Sequence, residues 1–176
     1  MHIGCLGWGS LIWKPGELSI AGEWHADGPV VPIEFSRVAD GKELATAICL
    51  SALPVPVLWA RLAAQSLQQA CAELHVREAI AQGRQDGIGT LLVHDDDGVD
   101  ELNRWALERG FDALIWTALP PRYLNVENRV PTAAQAISYL KTLTGGDRAH
   151  AKSYIQQVPE QIATRYRTAF SERLEW

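Results

Sequence analysis

The stretch "VVPIEFSRVADGKELATAICL", residues 30–50, decides the architecture. Its opening "VVPIEFSRV" (30–38) alternates, with Val31, Ile33 and Phe35 on one face and Glu34 and Ser36 on the other. That is the period-2 signature of a strand. "ELATAICL" (43–50) reads as a second strand, and the intervening "ADGK" is turn chemistry, so the two predict a hairpin. Upstream, residues 2–7 form a short apolar strand. Downstream, "VPVLWA" (55–60) adds another. Pro32, Pro54 and Pro56 cannot donate to a ladder, which places these strands at edges or bulges.

The period lengthens over residues 61–82, where Leu67, Ala70, Cys71 and Leu74 recur at helical spacing before Gly83 as a stop. "GIGTLLVHD" (87–95) returns to strand, and Asp95, Asp96, Asp97 and Gly98 read as a turn. "VDELNRWALERG" (99–110) predicts a helix with acidic residues in its first turn and Arg109 in its last, both favourable to the helix dipole. "FDALIWTAL" (111–119) is a buried strand ended by Pro120 and Pro121. Thr132 and Gln135 form a capping-box pattern that opens another helix, ending near 144–146. The remainder reads as helical, with a second segment beginning at Pro159. The order β, β, β, β, α, β, α, β, α, α predicts one α+β domain over residues 1–176. It would be a small mixed β-barrel or sheet with flanking helices, not a doubly wound α/β fold.

At 176 residues, 47% of them hydrophobic, the chain can bury a sizeable core. Its formal net charge is −5 and it has no basic stripe, which argues against a nucleic-acid partner. Cys5, Cys49 and Cys71 are odd in number and form no C-x-x-C pair. A disulfide framework and a zinc site are therefore not expected, and a reducing, cytoplasmic setting is. The first apolar run has no basic segment before it, and no apolar run reaches 18 residues, so neither a signal peptide nor a membrane span is expected.

"LGWGSLIWKPG" (6–16) poses a chemical question. Glycine in a strand interior marks a bulge or the close approach of something to the backbone. Gly7, Gly9 and Ser10 would leave N–H groups open to an anion. The alternative is a strand bulge packed under Trp8 and Trp13. No phosphate-loop pattern is present. A second feature is Glu78. Leu67, Cys71, Leu74 and Glu78 are spaced four, three and four apart, so the apolar stripe of the helix runs into a carboxylate. Such a glutamate is paired (Arg84 and Arg37 are candidates), or raised in pKa and suited to acid/base work, or exposed where the helix frays. Glu34 faces either solvent or a barrel lumen. Cys71 with His75 lacks a third metal ligand, and Cys5 with His25 or His94 would make a nucleophile only if the fold aligned them. The seven tryptophans are scattered, which suits core anchors better than a stacking platform.

The stretch "GWGSLIWKPG" (7–16) resembles the [YF]-G-S-[LN] signature of the γ-glutamylcyclotransferase-like superfamily, closest to its glutathione-specific branch. "AELHVREAI" (72–80) is similar to the later family block that supplies a catalytic glutamate. The resemblance implies a small mixed barrel and cyclisation of a γ-glutamyl amide or peptide to 5-oxoproline. Glu78 would be the acid/base, with Glu34 as fallback, and Trp8, Gly9, Ser10 and Leu11 would bind substrate. No cofactor or metal is implied. Trp8 stands where the family has Tyr or Phe, His75 where Asp is common, and Ala79 where glycine follows the glutamate. A family Tyr beyond the glutamate is missing, since residues 79–94 hold no aromatic. A non-catalytic binding or protein-interaction domain of the same fold is the alternative.

Overall fold

The computed structural model describes residues 1–95, 98 and 100–176. Among these it is α+β, with five helices and two mixed sheets. The elements run β1 (Ile3–Gly7), β2 (Ile20–His25), β3 (Val30–Val38), β4 (Leu44–Ile48), β5 (Pro54–Pro56), β6 (Leu58–Leu62), α1 (Leu67–Arg77), β7 (Ile88–Leu92), α2 (Glu101–Glu108), β8 (Ala113–Thr117), β9 (Arg122–Tyr123), β10 (Val126–Glu127), α3 (Ala133–Thr142), α4 (Gly145–Gln157) and α5 (Arg165–Leu174). The expected turn at 95–98 falls partly on Asp96 and Asp97, and the expected helix start at Val99. All three lie outside the described residues.

The chain divides into two compact units, each built around one sheet. The first comprises Met1–Gly7, Leu11–Pro29 and Pro56–Leu119. Its strands lie in the order β2-β6-β1-β8-β7, with β1 antiparallel to β6 and parallel to β8. Every residue of β1 is buried, as a central strand requires. Helix α1 packs on β7 and β8. Leu74 joins Ile3, Cys5, Leu11, Leu18, Leu62 and Ile115 in the core, with Leu67 and Cys71 packed against it.

Two helix limits differ from the sequence reading. Residue 62 belongs to β6, and α1 starts only after Ser66, whose side chain accepts the Gln69 N–H at 3.1 Å. The helix stops well before Gly83. Glu78 is its C-cap, and Ala79 follows in the left-handed region (φ 51°). The Ala79 N–H reaches the Val76 carbonyl (3.0 Å) and the Ile80 N–H the His75 carbonyl (3.2 Å), which is a Schellman motif. The run 55–60 is broken at Val57, whose N–H bonds the Pro29 carbonyl at 3.0 Å, so it forms β5 and β6 instead of one strand. Strand β2 is absent from the sequence reading. Gly22 within it has φ 95°, and its residues lack the buried/exposed alternation that marks a strand.

The second unit comprises Trp8–Ser10, Val30–Val55 and Pro120–Trp176. Its sheet runs β10-β9-β3-β4, and β5 also pairs with β3. The 30–50 hairpin is present as read: β3 and β4 are antiparallel, with a register shift between Phe35 and Arg37. Its turn closes through Lys42 N–H to the Ala39 carbonyl (2.9 Å), with Lys42 at φ 71°. The two-faced pattern of β3 is corrected, however. Glu34 and Ser36 are as buried as Ile33 and Phe35, because α5 packs on the strand. The Thr132–Gln135 capping box forms in both directions. Residues 144–146 begin α4 rather than merely ending α3. Pro159 does not begin a helix, since α5 starts at Arg165 behind its N-cap Thr164. Among the described residues no helix is long and apolar enough to cross a membrane.

Candidate functional site

Glu78 is set by the end of α1. Its apolar stripe carries the last turn against the core, and the C-cap leaves the carboxylate at the edge of that core, with its side chain only 14% exposed. Two donors meet one of its oxygens. Thr117 Oγ1, at the end of β8, donates to Oε1 at 3.2 Å, and Arg77 Nη1 donates to the same oxygen at 3.3 Å. The adjacent arginine is thus a partner that the stripe did not suggest. Arg84 pairs with Asp86 and Arg37 with Glu127. Arg77 also donates through Nε to the Lys14 carbonyl at 2.9 Å, and its stem lies against Gly16 (φ 57°). Within this unit, therefore, the "WKPG" end of the first motif and the "RE" of the second are joined through one guanidinium. Leu11 of the first motif lies in the same core cluster as Leu74.

Cys5 belongs to the same neighbourhood but is not a nucleophile. Its thiol is fully buried and donates to the Leu6 carbonyl at 3.4 Å. Burial, and secondarily the negative charge of Glu78, push its pKa far up, so it stays a thiol. Of the two candidate bases, His25 is stacked on Trp59 at 4.3 Å and His94 is exposed while Cys5 is fully buried. Cys49 is buried, and burial raises Cys71. Among the described residues, no three His, Cys, Asp or Glu side chains gather as a metal site would need.

The first motif's glycines make room for side chains. A Cβ on Gly7 would meet the Trp24 ring at 2.6 Å, within the first unit. In the second unit, a Cβ on Gly9 would meet Thr46 Oγ1 at 2.5 Å and the Tyr154 hydroxyl at 2.6 Å. Thr46 Oγ1 donates to the Trp8 carbonyl at 3.0 Å, and the Trp8 indole is buried. Ser10 is half-buried. Glu34, also in the second unit, faces neither solvent nor a lumen. It is 4% exposed and accepts from the Phe35 N–H (2.9 Å), the Tyr166 N–H (3.4 Å) and the Thr164 side chain. Its carboxylate caps the start of α5, and desolvation raises its pKa against those bonds.

Sequence reasoning missed Arg77, Thr117, Thr46 and Tyr154 as members of these clusters. Arg77 stood inside the second motif. The other three carry no local signal, and Tyr154 lies 108 residues from Thr46. Comparison with known protein families, with curated proteins and with solved structures finds no match to this chain.

Proposed function

We propose that the protein is a γ-glutamylcyclotransferase-type enzyme, in which Glu78 moves the proton while a γ-glutamyl amide closes to 5-oxoproline. One observation carries the reading. Two sequence blocks, chosen separately by motif, meet through Arg77, beside a carboxylate largely withdrawn from water. A glutamate carboxylate is a group that can accept a proton and return it, and this one is largely withdrawn from water with a hydroxyl and a guanidinium holding its position. The substrate's own α-amino nitrogen attacks the γ-carbonyl carbon and loses a proton to Glu78. The amide C–N bond then breaks as Glu78 protonates the departing amine. The motif reading gives Trp8, Gly9, Ser10 and Leu11 to substrate binding, with main-chain N–H groups taking the α-carboxylate. The family's mixed-barrel fold and a cytoplasmic setting belong to the same proposal.

The test is 5-oxoproline release from a panel of γ-glutamyl amides and peptides. Glu78→Gln keeps the shape but cannot shuttle a proton. It should lose roughly 10²- to 10⁴-fold in kcat with KM little changed. Glu34→Gln should retain turnover, because Glu34 is committed to capping α5. Near-normal turnover in Glu78→Gln defeats the assignment, and loss in Glu34→Gln alone transfers the role to β3. A wild-type protein that binds γ-glutamyl compounds without releasing 5-oxoproline would be the non-catalytic binder.

A further inference from the structure

We infer that Thr46 and Tyr154 are positioning residues for the segment Trp8–Ser10, and that their paired hydroxyls aim the Gly9 main-chain N–H. For the ligand's identity, a γ-glutamyl compound, the inference rests on the reading above. The residues involved all belong to the second unit.

The hydroxyl hydrogens can be assigned by counting. Thr46 Oγ1 has one, and it goes to the Trp8 carbonyl at 3.0 Å. The 3.0 Å bond between Thr46 Oγ1 and the Tyr154 hydroxyl therefore has the phenol as donor. The phenol oxygen in turn accepts the Thr46 N–H at 3.1 Å. Tyr154 is 5% exposed, so its hydroxyl depends on these partners. The pair lies directly against the α-carbon of Gly9, where any side chain would collide with both oxygens. Residue 9 is glycine so that the Thr46 hydroxyl, braced by that of Tyr154, can reach the carbonyl before it.

The consequence follows from peptide planarity. The Trp8 carbonyl and the Gly9 N–H belong to one rigid trans peptide, since no peptide bond among the described residues is cis. Fixing the carbonyl on Thr46 therefore fixes the Gly9 N–H to point the opposite way. That N–H is one of the donors the proposed reading assigns to the substrate's α-carboxylate. Tyr154, on α4, gives the C-terminal helices a part in holding the segment Trp8–Ser10 that no motif signals. It also brings a phenol to a segment whose own position 8 carries tryptophan.

The experiment compares Tyr154→Phe, Thr46→Val and Thr46→Ser with wild type by amide hydrogen exchange at Gly9 and Ser10, by steady-state kinetics and by melting temperature. Tyr154→Phe and Thr46→Val should speed exchange at Gly9 and raise KM about tenfold, the equivalent of one hydrogen bond's net worth. Their kcat should stay within about threefold of wild type, because the proton-transfer group is untouched. Thr46→Ser keeps the hydroxyl and should behave as wild type. A packing role alone would lower the melting temperature without splitting KM from kcat. Unchanged Gly9 exchange and KM in both variants, or equal losses in Thr46→Ser and Thr46→Val, overturns the inference. Should Tyr154→Phe fail to fold, Thr46→Val against Thr46→Ser decides. If the wild type releases no 5-oxoproline, the enzymatic reading falls while exchange at Gly9 still decides the positioning contact: acceleration upholds it and its absence ends it.

Discussion

Alanine occupies a backbone site at residue 79 that favours glycine, so Ala79→Gly should stabilise the protein. Ala79 follows the C-cap of α1 at φ 51° and donates to the Val76 carbonyl, while Ile80 behind it donates to His75. A Cβ in the left-handed region costs about 1–2 kcal/mol. Against this, glycine loses more chain freedom than alanine on folding, by about 0.5–1 kcal/mol. The balance lies between about 0 and 1.5 kcal/mol in favour of glycine and centres near 0.75, a rise in Tm of roughly 1–3 °C at the centre for a chain of this size. Urea unfolding should show a higher midpoint with the same slope, because the native surface does not change. Ala79→Val, with a β-branched side chain in the same conformation, should move the other way. Glu78 sits one residue earlier and keeps its bonds to Thr117 and Arg77, so turnover should be unaffected. A lower midpoint for Ala79→Gly, or valine tolerated as well as glycine, would refute the reasoning, because either means that backbone strain does not govern this turn.

Two further outcomes follow from the second unit. The pKa of Glu34 is raised in the fold, so its contribution to stability is full below the ordinary glutamate value of about 4.5 and is lost as pH rises through the raised value. The stability of Glu34→Gln relative to wild type should therefore improve from about pH 4 to pH 7 in parallel urea titrations; wild type gaining on the variant over that range would contradict the burial argument. Arg167 donates to the carbonyls of Ile155, Val158, Pro159 and Ile162 at 2.6–3.2 Å, holding the C-terminal end of α4 and the link to α5. Arg167→Met should cost about 2–4 kcal/mol, read as a lower melting temperature, and Arg167→Lys should not fully restore it because an ammonium lacks the planar fork. Full rescue by lysine would show that charge, not geometry, is what those carbonyls need.

Legibility in this sequence follows the distance over which each contact acts. The 30–50 hairpin was readable because alternation and turn chemistry lie within a few residues, and the Thr132 capping box for the same reason. Strand β2 was not, because Gly22 is left-handed and the residues on both sides of it, Ala21 and Glu23, are exposed. The helical reading began too early, at residue 61, because nothing local ends the strand at residue 60; Arg61 pairs with Gly4 of β1 and Leu62 with Ile20 of β2, and those pairings extend β6 to Leu62. Glu78 was legible as the end of a stripe, but its partner was not. Adjacent residues on a helix point about 100° apart, so Arg77 is a poor candidate on helical geometry. The two meet all the same, because the long arginine side chain brings its guanidinium to Glu78 Oε1 at 3.3 Å.

The glycines of the first motif mark the same boundary more sharply. A glycine in an apolar strand states that something approaches the backbone; it carries no record of what. At Gly7 the visitor is the Trp24 ring, and at Gly9 it is a pair of hydroxyls from β4 and α4. Neither could be read locally, because Trp24, Thr46 and Tyr154 are ordinary residues until the chain is folded. The room at Gly9 is therefore spent on holding a peptide plane, and any ligand role of the Gly9 N–H depends on how that plane is held. A bulky substitution at Gly9 would displace the hydroxyl pair before it obstructed a ligand, so its effect on binding would not by itself identify a binding loop. Removing the hydroxyls while leaving Gly9 in place separates the two, because the room stays and only the aim is lost.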